Sequence, residues 1–125
     1  TPLARIVASG VSGLNPEIMG LGPIEAIRQT LGRANMTIDQ IDLVEINEAF
    51  ACQVIGSARH LGIDLDTQMN IHGGAIALGH PFGMTGARIM TTLINGLQFE
   101  DKTFGLESMC VGGGQGMAMI VERLS

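Results

Sequence analysis

Three side chains in this sequence have types and neighbours suited to acid–base work on a carbonyl. His80 stands in Gly79-His80-Pro81, Cys110 comes just before Gly112-Gly113-Gly114, and Asn47 opens Asn47-Glu48-Ala49-Phe50. A neutral imidazole can polarise a carbonyl or accept a thiol proton. A thiol beside a histidine is expected to have its pKa lowered from about 8.5, which makes it usable as an acid or a base. Amides of Gly112 and its neighbours can converge as a nest for an oxyanion. Asn47 admits two readings. It is either a helix N-cap, accepting from the amide of residue 49 or 50, or a carboxamide that orders a water or a substrate carbonyl. Other candidates are weaker. Cys52 falls inside an amphipathic helical pattern and reads as core. His72, His80 and Cys110 match no compact zinc-ligand spacing. The glycine run at 112–114 resembles a phosphate loop only loosely, since no Lys-Ser/Thr follows and a strand rather than a helix is expected next.

The elements that must position these groups alternate along the chain. Residues 5–13 read as a strand, and Pro23 suits the first turn of a helix in which Ile24, Ile27 and Leu31 recur at helical spacing. Residues 41–46 read as a short apolar strand, followed by a helix with Phe50, Val54, Ala58 and Leu61 on one stripe. Residues 68–72 read as a brief strand. Residues 86–97 form a helix whose apolar positions cover more than one face, so burial on most sides is expected. Residues 104–111 and 115–123 read as a hairpin, with Met117 and Met119 alternating as one buried face would. The order βαβαβαββ predicts one α/β domain over residues 1–125, a mostly parallel sheet with helices on both faces and an antiparallel strand added by the hairpin. In such sheets ligands bind beyond the carboxyl ends of strands, which is where Asn47, His80 and Cys110 fall.

Composition narrows the function classes. The 125 residues are 46% hydrophobic, which excludes a disordered chain. The net charge of −5 argues against a phosphate-binding basic face, and the absence of Trp and Tyr against base-stacking platforms. No apolar run is long enough to cross a bilayer. Charged residues make up 15%, against about 25% in ordinary soluble domains, so part of the surface is expected to be covered by something else. Thr1 to Arg5 carries no signal-peptide pattern and no initiator Met. A processed protein or the tail of a longer one is expected, in a reducing cytoplasmic setting.

Three ordered blocks together resemble the C-terminal half of the thiolases, acyl-CoA acetyltransferases: Asn47-Glu48-Ala49-Phe50, the run from Gly73 to Arg88 (GGAIALGHPFGMTGAR), and the run from Cys110 to Glu122 (CVGGGQGMAMIVE). Arg5–Val11 and Met19–Pro23 fit as well, so the resemblance covers essentially the whole chain. It implies a half-molecule with a five-stranded mixed sheet, two such halves packed as an α-β-α-β-α sandwich, and dimers or tetramers. Residues 86–97 would then be the helix shared between halves.

The resemblance also implies roles. Asn47 would hold a water that forms, with His80, an oxyanion hole for a thioester enolate. His80 would also activate a nucleophilic cysteine belonging to the N-terminal half. Cys110 would be the general acid and base, the Gly112 amide would serve a second oxyanion hole, and Phe50 would line the pantetheine channel. The reaction implied is acyl transfer between a 3-ketoacyl-CoA and CoA, with CoA as co-substrate and no metal or redox cofactor. The chain alone is expected to be inactive. The wording of GHPFGMTG and of the final block leans towards actinobacterial degradative thiolases, some acting on sterol side chains, although His72 stands where related sequences commonly have Asn. Two other classes fit less well: a non-catalytic acyl-CoA-binding or assembly module, and a Cys–His hydrolase using Cys110 as nucleophile.

Overall fold

The computed structural model describes all residues from Thr1 to Ser125. Its sheet has four strands in the order β1-β4-β3-β2, formed by β1 (Ala4–Gly13), β2 (Leu43–Ile46), β3 (Phe104–Val111) and β4 (Gln115–Arg123). β4 runs antiparallel to both β1 and β3, whereas β2 and β3 are parallel. A parallel pair needs a long crossover. Here it is the stretch carrying α2 (Ala51–Leu61), α3 (Ala75–Leu78) and α4 (Thr85–Phe99). The remaining helix, α1 (Gly22–Ala34), joins β1 to β2 and has proline in its first turn, where no amide partner is missed.

Strand alternation sends side chains to two faces. Val44, Ile46, Leu106, Ala118 and Ile120 point towards α1 and α2, where they enclose Ala26, Ile27, Leu31, Val54 and Ala58 in one core. Gly10 lets α1 come close, because a Cβ there would lie 2.6 Å from the Thr30 hydroxyl oxygen. Leu43 and Val121 point the other way, against Leu93 and Leu97 of α4.

The structure differs from the sequence reading in several places. The segment 68–72 is not a fifth strand, and only Val44 and Met69 form a bridge. Asn70 turns the chain away with φ 46°. Its carboxamide then completes the ladder in place of a strand, accepting from the Ile46 amide at 2.9 Å and donating to the Ile46 carbonyl at 2.9 Å. Helix α4 is buried along one stripe only, Ile89, Leu93 and Leu97, with Met90 and Ile94 half-buried and Ala87, Thr91 and Asn95 exposed. Met117 and Met119 lie on the same side as α4, opposite the main core, and Met117 is exposed. Cys52 is exposed too, since α2 buries Gln53, Val54, Ser57 and Ala58 instead. Phe50 precedes that helix and lies outside its buried stripe.

Candidate active site

The parallel pair sets the geometry. Ile46 is level with Ser108, and the Asn47 amide donates to the Ser108 carbonyl at 3.0 Å. Asn47 therefore sits at the carboxyl end of β2, and Cys110 lies two residues beyond Ser108 near the carboxyl end of β3. Asn47 is not a cap. Helix α2 starts four residues later, at Ala51, and receives no side-chain cap. The carboxamide is instead buried and points at His80, with Nδ2 3.3 Å from Nε2.

His80 is held at both ring nitrogens. Nδ1 lies 2.6 Å from the Thr85 hydroxyl, which itself donates to the Pro81 carbonyl at 3.1 Å. Because that hydroxyl's proton is committed, Nδ1–H must donate to it. In the neutral ring Nε2 then carries the lone pair and accepts from Asn47. The Asn47 Oδ1 is buried with no protein partner, an acceptor well placed for a water or a substrate donor.

Glu48 secures the loop that carries His80. Its carboxylate accepts from the Ile76 amide at 2.9 Å and from the Asn70 carboxamide at 3.0 Å. Gly74 makes room for it, since a Cβ there would come within 2.5 Å of the Glu48 carboxyl carbon. The two halves of the Asn47-Glu48 pair thus divide the work: one side chain touches the imidazole and the other fixes its loop.

Cys110 is half-buried, and burial pushes its thiol pKa up. That corrects the expected lowering. No charge reaches the sulfur strongly enough to offset desolvation. The thiol is kept protonated, which suits a proton donor. Beyond it the chain reverses through Gly112 and Gly113, at φ 61° and 72°, values that favour glycine.

Of the three residues singled out in the sequence, Asn47 and His80 are brought into contact, and Cys110 stands near the end of the neighbouring strand. Sequence reasoning missed Thr85, Glu48 and Asn70 as positioning groups. It also passed over two carboxylates on adjacent strands, Glu45 and Glu107, which are level in register on the α4 side. Burial raises the pKa of each from about 4.5 to about 7, and Arg88 of α4 approaches Glu45 at 3.7 Å. A glutamate inside a short apolar strand was the available signal.

Residues 1–123 match the family model described as the thiolase C-terminal domain. The chain belongs to the thiolase C-terminal domain family. Among curated thiolases it is 50% identical to the acetyl-CoA acetyltransferase of Escherichia coli over its whole length, covering 32% of that protein. It is 52% identical to a 3-ketoacyl-CoA thiolase of Chromohalobacter salexigens over 98% of the chain, again 32% of the relative. The crystal structure of human mitochondrial 3-ketoacyl-CoA thiolase in complex with CoA superposes with a TM-score of 0.96 at 46% identity, covering all of this chain and 32% of that one. The thiolase fold is thus shown, with four strands here rather than five. The chain spans about a third of the length of the thiolases it matches.

Proposed function

We propose that this chain is the C-terminal catalytic half of a thiolase, transferring acyl groups between a 3-ketoacyl-CoA and CoA. The observation that carries the reading is the doubly held imidazole: Thr85 fixes the proton on Nδ1, so Nε2 faces Asn47 as a base. In cleavage, Nε2 takes the proton of a cysteine thiol supplied by the N-terminal half, and the thiolate attacks the 3-keto carbon. The bond between C2 and C3 breaks, and its electron pair leaves as the enolate of acetyl-CoA. The charged ring now has Nε2–H to donate to the enolate oxygen, beside a water on Asn47. Cys110 gives its proton to C2. CoA then passes its thiol proton to Cys110 and attacks the acyl-cysteine, releasing the shortened acyl-CoA and the free thiolate. Condensation reverses these steps.

Each step moves a proton or an acyl group, so the chemistry calls for no electron carrier and no Lewis acid. A thiol kept protonated supports the role of acid at Cys110, whereas a hydrolase nucleophile would want the opposite shift. Gly112 offers its amide for the oxyanion of the acyl transfer. Phe50, 72% exposed at the start of α2, is available to the pantetheine arm. The N-terminal half would dock on the apolar surface beside α4, making α4 the shared helix, and dimers or tetramers of the complete enzyme would follow in a reducing cytoplasm. No helix here is long and apolar enough to cross a membrane.

The test is CoA-dependent cleavage of acetoacetyl-CoA by the complete protein. Cleavage by wild type is expected, with Cys110→Ser slowing solvent exchange of the acetyl-CoA α-protons by about 10²-fold or more. A folded complete protein without cleavage, or unchanged exchange in the variant, would refute the reading.

A further inference from the structure

The surface beside α4 holds one feature that apolar docking does not explain. A pocket of about 270 Å³ opens between β1, β3 and β4, walled by Val11, Met109, Met117 and Met119. Among these apolar walls stands Glu107. One of its carboxylate oxygens, Oε2, is fully buried and has no hydrogen-bond donor. A buried unpaired acceptor costs free energy, and a carboxylate costs more than a neutral group. No cation of this chain serves it. Arg88 on α4 approaches Glu45, and Glu45 on β2 adds only negative charge. The neighbours of Glu107 across the β3–β4 ladder bring no charge either, since Met119 is its register partner.

The pocket lies on an apolar surface that α4 leaves uncovered. Ile6 and Val11 are 64% and 54% exposed there. A second groove of about 390 Å³ runs alongside, walled by Leu3, Ile6, Met90 and Ile94. Helix α4 lies mainly against β2 and β3 and reaches β4 at Met119 and Val121, so the open strip over β1 and the rest of β4 is about one helix wide. The thiolases that this chain matches are about three times as long, and a complete protein of that length would have chain to cover it.

We propose that the covering segment, part of the complete protein outside this chain, is an apolar helix face that places one cationic side chain, Arg or Lys, in the pocket against Glu107. This rests on the thiolase reading for the existence of an N-terminal half, and adds the charge pair that sets how the half seats. Charge complementarity makes the site a register pin. An apolar surface alone lets a helix slide, whereas one desolvated ion pair is satisfied in a single seating.

The experiment compares Glu107→Leu and Glu107→Gln in the complete protein, by the midpoint of thermal inactivation. Glu107→Leu strands the incoming cation in an apolar pocket and is expected to lower the midpoint by roughly 5 °C or more. Glu107→Gln, whose amide oxygen still accepts from the cation, loses less. A midpoint that is unchanged or raised in Glu107→Leu overturns the proposal, because removing a carboxylate that stays unpaired would produce that result. If Glu107→Leu does not fold, the wild-type carboxyl signal decides. In protein with ¹³C-carboxyl-labelled glutamate, the signal missing from Glu107→Gln should titrate well below 7, held ionised by the cation; titration near 7 overturns the proposal. Acetoacetyl-CoA cleavage by wild type, measured on the same samples, separates the two claims. A cleaving enzyme that Glu107→Leu stabilises sinks the pin alone, and a protein that never cleaves sinks the thiolase reading.

Discussion

On one side of the sheet, Ile27, Leu106 and Ile120 are fully enclosed beneath α1 and α2, and the core there needs nothing from outside. On the other side, α4 encloses only Leu43, Leu93, Leu97 and Val121, and large apolar side chains of β1 stand in the open beside it. The charges are divided as unevenly as the apolar surface. Glu45, Glu107 and Arg88 are all found on the α4 side, and the core under α1 and α2 contains no ionisable group. The first side holds the fold together. The second leaves apolar side chains uncovered around its buried charges, and under the proposed reading it is half of an interface. The candidate site lies at one end of the sheet, at the carboxyl ends of β2 and β3.

The largest effect that separates the two sides is on stability. Leu106→Ala removes a side chain with no solvent exposure and is expected to cost about 2–5 kcal/mol in chemical denaturation of this chain. Met117→Ala, on the open side, is expected to change it by about 0.5 kcal/mol or less. Equal losses would mean that the open side is packed after all.

A smaller effect concerns pH. Burial raises Glu45 and Glu107 from about 4.5 to about 7. Between those values the folded chain holds protons that the unfolded chain has released, so stability falls as pH rises from about 4.5 to about 7. The double variant Glu45→Gln with Glu107→Gln should flatten that slope in urea unfolding of the 125-residue chain. An unaltered slope would place the titrating groups elsewhere.

Much of this was legible in advance where local pattern and tertiary structure agree. The hairpin at 104–123 follows from two β-rich runs around three glycines, and α4 from its i, i+3, i+4 spacing. The segment around Asn70 was misread because a side-chain carboxamide, not a main chain, finishes the β2 edge, and composition does not distinguish the two. Thr85 and Glu48 were overlooked for a related reason. Thr85 meets the His80 ring only through the turn that starts at Pro81, and Glu48 meets the Ile76 amide only after the chain returns through the turn at Gly73. The low charge content pointed to a surface with too little polar material, but not to a face. The structure places exposed apolar side chains, Met117 and Val11 among them, on the side away from the main core. Cys52 shows the limit of stripe reading in α2, where one residue of offset separates core from surface.

The central claim is that the imidazole of His80, oriented by Thr85 and Asn47, does the acid–base work at this end of the sheet. The most direct measurement is acetoacetyl-CoA cleavage by the complete protein, wild type against His80→Ala, with folding checked by circular dichroism. A loss of about 10²- to 10⁴-fold in kcat, with the fold intact, is the predicted result. A folded His80→Ala enzyme that cleaves at the wild-type rate would contradict it.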